Sequence, residues 1–97
     1  MSAPEGFDPL IHPPARLQLL AVLSRVDELE FAAARELLKV SDSVLSKHVA
    51  LLAEPGYLTL RKAAVLGRQR TWLAITPAGH SAYTAHVAAL HRLLEGD

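Results

Sequence analysis

The chain contains no cysteine, which excludes disulfide bonds, thiolate metal sites and thiol nucleophiles. Long apolar runs are also absent, since none approaches the roughly 18 residues that a membrane-spanning helix needs. Charge of one sign is not in excess either, because ten Lys and Arg balance ten Asp and Glu. A neutral chain at first sight argues against a nucleic-acid partner, because Lys and Arg that neutralise phosphates supply much of the affinity for DNA.

The basic residues are nevertheless gathered in one segment. Residues 1–40 carry four basic and six acidic side chains, a net charge of −2, and residues 71–97 carry one basic and two acidic, a net charge of −1. Residues 41–70 carry five basic and two acidic side chains, a net charge of +3. A positive segment of this kind indicates a DNA-contacting surface, and its position matters more than the neutral sum.

The length of 97 residues predicts one domain that spans the whole chain, residues 1–97. A domain this small buries only about 60% of its unfolded surface, so burial against a second subunit would help to stabilise it. The first ten residues include Glu5 and Asp8 and lack the basic-then-apolar order of a signal peptide. We therefore expect a cytoplasmic protein.

Hydrophobic periodicity and capping residues predict a mainly α fold with a small β-hairpin. Proline suits the first turn of a helix, where no amide donor is needed, and serine or threonine caps a helix start. These signals lie at Pro14, at Ser41 and at Thr76. Two runs of alternating apolar residues meet around Gly67 and predict the hairpin. The expected elements are helices at about 14–26, 32–39, 42–53 and 77–94, a connection or very short strand at 27–31, and strands at 57–64 and 68–75.

The second and third predicted helices have the length and spacing of a helix-turn-helix unit. In such a unit the second helix lies in the major groove of DNA and presents side chains to base edges. If Leu45, Val49 and Leu52 form its buried stripe, then at about 100° per residue Ser43 and Lys47 point the opposite way. Serine and lysine bind both base edges and phosphates, and a solvated polar helix face is the alternative. The predicted base and phosphate contacts on this helix are Ser43, Ser46 and Lys47.

The hairpin adds an independent signal. Arg68 and Arg70 lie two apart on one strand beside a glycine turn, and Arg61 and Lys62 lie on the partner strand. A basic tip of this kind can follow the DNA backbone or enter the minor groove. An exposed charged hairpin that only prevents edge-to-edge aggregation is the alternative. The complete set of predicted DNA-binding residues is Ser41, Ser43, Val44, Ser46, Lys47, His48, Arg61, Lys62, Arg68 and Arg70.

The stretch VSDSVLSKHVALLAEPGYL, followed by GRQRTWLAITPAGHSA, resembles the winged helix-turn-helix regulators of the MarR and ArsR type, above all their compact single-domain members. The similarity runs from about Asp8 to Leu94, and its most specific part extends from Thr-Trp to Thr-Pro-Ala-Gly. It implies a homodimeric, DNA-binding transcriptional regulator with a recognition helix at 41–53 and a wing tip around Gly67 and Arg68. The first and last helices would form the dimer interface.

The chain departs from that pattern near the end of the recognition helix. Ala50 and Ala53 occupy positions that are often basic in these relatives, and Pro55 replaces a small helical residue before Gly56. Fewer phosphate contacts should make DNA binding weaker and less salt-dependent than in a basic relative.

The first and last predicted helices carry more apolar surface than a small core needs. The first is apolar on more than one face, and the last has an apolar stripe at three- and four-residue steps. We therefore predict a homodimer built from about 14–26 and 77–94, although Leu19 and Val22 could instead only cap the core. The predicted interface residues are Leu19, Val22, Tyr83, Val87, Leu90 and Leu94.

Metal and catalytic sites find little support in the sequence. His86 and His91 lie about 140° apart around a helix, so they do not converge on a metal ion. We interpret the five histidines as scattered surface residues, of which His48 lies near a DNA phosphate. The alternative is a metal site shared across a dimer. The acidic cluster at 27–30 is interpreted as a solvated turn. Since no phosphate loop or serine-elbow motif occurs, we expect neither an enzyme nor a cofactor.

A protein-interaction adaptor is the rival function, because winged helices also serve in that role. A DNA-binding dimer should instead present two recognition helices and two wings on one positive face, about 34 Å apart. Any small-molecule effector is expected to act at the dimer interface. The alternative is close packing there, with no effector. The candidate effector pocket lies between Leu19, Val22, Trp72, Tyr83 and Val87.

Overall fold

The computed structural model describes residues 2–96. Three strands, β1 (Leu29–Glu30), β2 (Leu58–Val65) and β3 (Arg68–Ile75), form one antiparallel sheet in the order β1-β3-β2. The predicted mainly α architecture with a β-hairpin is confirmed, and the very short strand β1 adds to one edge of that hairpin. Within the described residues, none of the helices is long and apolar enough to cross a membrane. The elements are α1 (Pro14–Leu23), β1 (Leu29–Glu30), α2 (Phe31–Leu38), α3 (Asp42–Ala53), β2 (Leu58–Val65), β3 (Arg68–Ile75) and α4 (Pro77–Glu95).

Two helix ends differ from the predicted ones. Helix α1 ends at Leu23 rather than near Val26, because the Arg25 amide donates to the carbonyl three residues back and tightens the last turn. Helix α2 ends at Leu38 because Lys39 has a left-handed φ of 55°, a conformation that terminates helices. Neither Arg25 nor Lys39 is a glycine, so the sequence contains no residue that is typical of a helix end at these positions.

The hairpin between β2 and β3 closes through a two-residue turn. Leu66 and Gly67 both have positive φ, 52° and 77°, as the tight turns that match strand twist require. The strand register pairs Val65 with Arg68 beside this turn and Leu58 with Ile75 at the base of the hairpin. The long hairpin therefore projects from the helical body as a wing.

The core lies between the helices and one face of the sheet. The predicted buried stripe of α3 is confirmed, since Leu45, Val49 and Leu52 are all buried. The predicted apolar face of β2 is only half correct: Leu58 is buried, but Leu60 is 45% exposed at the border of a groove beside α3. Among residues 2–96, the other large apolar side chains that are fully buried are Ile11, Leu19, Leu20, Leu23 and Leu73.

The start of α4 is fixed to the backbone at Tyr57. The Thr76 amide donates to the Tyr57 carbonyl at 3.0 Å, and the Thr76 hydroxyl accepts from the Gly79 amide at 2.9 Å. A Cβ on Gly79 would lie 2.0 Å from the Tyr57 carbonyl oxygen, so only glycine fits there. The Thr-Pro-Ala-Gly segment thus joins a helix cap to a close backbone contact.

The segment before α1 packs against α4 through His86. The interpretation of this histidine as a surface residue is wrong, because its side chain is fully buried. Its Nδ1 accepts from the Asp8 amide at 2.9 Å, and the Phe7 ring lies 4.9 Å from the imidazole. Burial, and then the neighbouring His12, lower the pKa of His86, while Asp8 opposes the shift. A neutral His86 therefore holds the amino-terminal segment onto the last helix.

Candidate nucleic-acid interface

The predicted recognition helix α3 begins at a hydroxyl cap. Ser41 is the N-cap, as predicted, and its hydroxyl accepts from the Val44 amide at 3.2 Å. Asp42 in the first turn forms a 2.8 Å ion pair with Arg35 of α2. This pair raises the pKa of Arg35, mainly through the hydrogen bond to Asp42. The contact links the two helices of the helix-turn-helix unit at their junction.

The side of α3 opposite its buried stripe is open to solvent. Ser43, Ser46 and Lys47 are exposed, and Val44 is 41% exposed. Together with Ser41 at the helix start and the partly buried His48, these are the residues in this part of the chain that the sequence assigned to DNA. The arrangement offers three hydroxyls and one ammonium group on the exposed side of one helix, which suits hydrogen bonding to base edges and phosphates.

The wing presents its basic residues on two different faces. Directly paired residues of an antiparallel sheet share a face, and the register pairs Arg61 with Trp72 and Lys62 with Thr71. Arg61 therefore lies on the outer face with Trp72, Arg70 and Arg68. Lys62 lies on the inner face and reaches a groove of about 340 Å³ beside α3. The groove is lined by Phe31, Asp42, Ser46, Leu60, Lys62 and Thr71.

Two of the wing arginines are engaged by carboxylates. Arg61 donates to both carboxylate oxygens of Glu28, at 2.9 and 2.8 Å, and its guanidinium lies 5.7 Å from the Trp72 ring centroid. The hydrogen bond to Arg61 lowers the pKa of Glu28. Arg70 forms a 3.3 Å ion pair with Glu30. The interpretation of the 27–30 acids as only a solvated turn is therefore wrong for these two glutamates.

The remaining basic side chains of the interface are free of such pairs. Within residues 2–96, no carboxylate lies at ion-pair distance from Lys47, Lys62 or Arg68. Phosphates can bind these three groups without displacing an acid. Sequence reasoning missed the difference between Arg68 and Arg70, and the only signal for it was the acidic cluster at 27–30, which β1 brings to the edge of β3.

His48 lies on the flank of α3 and contacts the first turn of α1. Its Nδ1 lies 3.1 Å from Nη1 of Arg16, and the ring is partly buried. Burial, and then the charge of Arg16, lower the pKa of His48. Arg16 was not among the predicted site residues, because a single arginine in the first turn of a helix carries no pattern of its own.

The predicted dimer residues fall into two groups. Leu19 is fully buried in the core of its own subunit, so its assignment to an intersubunit contact is wrong. The inward face of α4 consists of small residues and His86, namely Gly79, Ala82, His86 and Ala89. The predicted stripe lies on the neighbouring flank of this helix, where Tyr83 also packs against the core. Val22, Tyr83, Val87 and Leu90 are half-buried, and Leu94 is 81% exposed.

Two members of the predicted effector pocket, Leu19 and Trp72, lie on different sides of the sheet. Trp72 follows the alternation of β3 onto the outer face of the sheet, whereas its neighbour Leu73 points into the core that contains Leu19. Within residues 2–96, no group of three or more His, Cys, Asp or Glu side chains is arranged to hold a metal ion.

The chain has the architecture of a winged helix protein, which consists of a helix-turn-helix, a three-stranded sheet and a projecting hairpin. Residues 15–94 match the family model described as the winged helix DNA-binding domain, and the chain belongs to that family. Its fold is shared with solved regulators of the MarR and ArsR families, as the resemblance implied.

Individual proteins are similar to the chain in sequence or in fold. The chain is 30% identical over 78 residues to the uncharacterized protein MJ0432 of Methanocaldococcus jannaschii. These 78 residues cover 80% of this chain and 85% of that protein. A transcriptional regulator homologue from Pyrococcus horikoshii OT3 superposes with a TM-score of 0.82 at 22% identity, over 90% of this chain and 86% of its own. Sco3205, a MarR family regulator of Streptomyces coelicolor solved in complex with DNA, gives a TM-score of 0.68 at 20% identity, over 91% and 64%.

Proposed function

We propose that this protein is a sequence-specific, double-stranded DNA-binding transcriptional regulator that acts as a homodimer. The observation that carries the proposal is the open face of α3, where Ser43, Ser46 and Lys47 are all exposed to solvent. The inner-face Lys62 borders the same surface across the groove. Membership of a DNA-binding family and the likeness to a regulator solved with DNA support this reading.

The interface divides into two functional parts. Ser43 and Lys47 lie on the outward face of α3, so they are assigned to base edges in the major groove and shape sequence preference. Arg68 lies at the exposed wing tip, beside the turn, and is assigned to the phosphate backbone. A phosphate contact adds affinity for every duplex alike, whereas a base contact discriminates between duplexes.

The homodimer is supported by apolar surface on the two outer helices. Val22, Val87 and Leu90 are only half-buried within the subunit, and Leu94 is almost fully exposed. On α4, Val87, Leu90 and Leu94 recur at three- and four-residue steps and form one continuous stripe. A second copy of the chain would bury this stripe, and a two-fold dimer would place two recognition helices on one face of the duplex.

Salt-dependent fluorescence anisotropy tests the division between helix and wing. Arg68→Ala should lower affinity equally for a cognate and a random duplex and reduce the salt slope by about one unit per subunit. Lys47→Ala should instead weaken the cognate duplex more than the random one. Arg25→Ala, which removes an exposed arginine from outside the 41–70 segment, is the matched control and should leave both curves unchanged.

The same titration can refute the proposal. If the parent binds no duplex at low salt while remaining folded and dimeric, DNA binding is wrong and an adaptor role becomes the better account. If Arg68→Ala and Arg25→Ala have equal salt slopes, Arg68 does not contact phosphate.

A further inference from the structure

The contact between Arg16 and His48 joins three parts of the chain beside the recognition helix. Arg16, in the first turn of α1, donates from Nε to the Leu10 carbonyl at 2.6 Å. Its Nη1 lies 3.1 Å from Nδ1 of His48 on α3. The guanidinium is therefore held by the amino-terminal segment on one side and aimed at the imidazole on the other.

This contact fixes the chemical state of His48. A guanidinium has five N–H donors and no acceptor, so the imidazole nitrogen that faces Arg16 must accept. An imidazolium has a proton on both ring nitrogens and cannot accept at Nδ1. His48 is therefore neutral, with its single proton on Nε2. The lowered pKa of His48, caused by burial and then by the charge of Arg16, agrees with this state.

The other ring nitrogen is left without a protein partner. Among residues 2–96, the His48 ring forms only one hydrogen bond, the one to Arg16. The ring is partly exposed on the flank of α3, one residue after Lys47. An N–H donor at Nε2 is thus oriented and unsatisfied beside the surface assigned to DNA.

We propose that Arg16 is a positioning residue that holds His48 as a neutral Nε2–H donor toward an acceptor on DNA. This inference rests on the proposed function and deepens it. A neutral donor forms a hydrogen bond without displacing a counterion, so His48 adds affinity with almost no salt dependence. The acceptor is an oxygen or nitrogen of the duplex, either a phosphate oxygen or a base edge in the major groove.

The first test reads the tautomer directly, without DNA. Long-range ¹H–¹⁵N NMR spectra of the full chain should show His48 as the single tautomer protonated at Nε2 near pH 7.5. In Arg16→Met the same ring should become a mixture of tautomers. A parent His48 protonated at Nδ1, or a ring unchanged by Arg16→Met, would overturn the positioning role.

The second test uses the different reach of two amides. In His48→Gln the side-chain nitrogen can take the place of Nε2, whereas in His48→Asn it can reach only the place of Nδ1. The expected affinity for a selected duplex falls by less than about twofold in His48→Gln. In His48→Asn it falls by about tenfold per subunit, the upper end for one hydrogen bond.

A double-mutant cycle connects the two residues. Arg16→Met should weaken DNA binding by about threefold or more in the parent and by less than about twofold in the His48→Asn background. Equal losses in both backgrounds, or equal affinities of the Asn and Gln variants, would overturn the proposal. A loss shared by cognate and random duplexes assigns the acceptor to phosphate, and a loss confined to the cognate duplex assigns it to a base. If the parent binds no duplex, the proposed function fails, and the NMR result still decides the role of Arg16.

Discussion

Replacement of Gly79 by alanine tests how tightly the last helix is joined to the winged helix body. The added Cβ would lie 2.0 Å from the Tyr57 carbonyl oxygen and 2.8 Å from its carbonyl carbon. Real Cβ atoms do not approach other atoms so closely, and the obstacle is backbone rather than a flexible side chain. The start of α4 would have to move away from Tyr57, which also stretches the hydrogen bond from the Thr76 amide.

The expected loss of stability follows from two opposing effects. Overpacking costs about 1–3 kcal/mol, and a rigid backbone obstacle places this case near ~3 kcal/mol. Alanine regains about 1 kcal/mol of helix propensity relative to glycine. The net destabilisation is therefore about 2 kcal/mol, which lowers the Tm of a domain of this size by roughly 8–16 °C.

Thermal unfolding followed by circular dichroism measures this shift. Gly56→Ala is the matched control, because Gly56 has a φ of 82° but no atom lies within 4 Å of an added Cβ. Its cost should be limited to backbone strain, about 1 kcal/mol. A Gly79→Ala variant as stable as the parent, or more stable than Gly56→Ala, would show that the close contact with Tyr57 does not constrain the fold.

Three further predictions concern pH, the wing and the dimer. Burial and His12 lower the folded-state pKa of His86, so the contribution of His86 to stability is fully present above about pH 6.5 and is lost as the pH falls toward the folded pKa. The free energy of unfolding of the parent, measured with urea, should therefore decrease in that pH window. In His86→Gln this free energy should depend less on pH. Glu30→Gln should release Arg70 and raise DNA affinity by about two- to fivefold at low salt, as anisotropy would record, and an unchanged affinity would mean that Arg70 does not reach DNA. Leu90→Asp should convert the dimer to monomers in sedimentation at micromolar concentration, because it buries an unpaired charge in an apolar seam, and an intact dimer would place the interface elsewhere.

Much of the fold could be predicted because local signals agree along most of the chain. The capping residues Ser41 and Thr76 correctly predicted two helix starts. The apolar stripe of Leu45, Val49 and Leu52 correctly predicted the buried face of α3. Hydrophobic periodicity did not predict the buried face of α4, because the most apolar stripe of this helix is not its most buried one. Small residues and His86 line the inner face instead, because α4 packs closely against the amino-terminal segment and the Tyr57 backbone.

The candidate site was predictable in its composition but not in its pairing. The basic residues of the wing were visible in the sequence, and strand alternation alone places Arg61 and Lys62 on opposite faces. Only the strand register shows that Arg61 shares its face with Arg68 and Arg70. The ion pairs of Arg61 and Arg70 depend on β1, which brings Glu28 and Glu30 from more than 30 residues away. Contacts over such distances leave no periodic signal in a single sequence.

Selection of binding sites from a pool of random duplexes would measure DNA binding, sequence preference and two-fold symmetry of the site in one experiment. We expect enrichment of a palindromic site whose half-sites lie about one helical turn, 10–10.5 base pairs, apart. The Lys47→Ala variant should enrich that site more weakly than the parent. A folded parent protein that enriches no sequence over the starting pool would contradict the account.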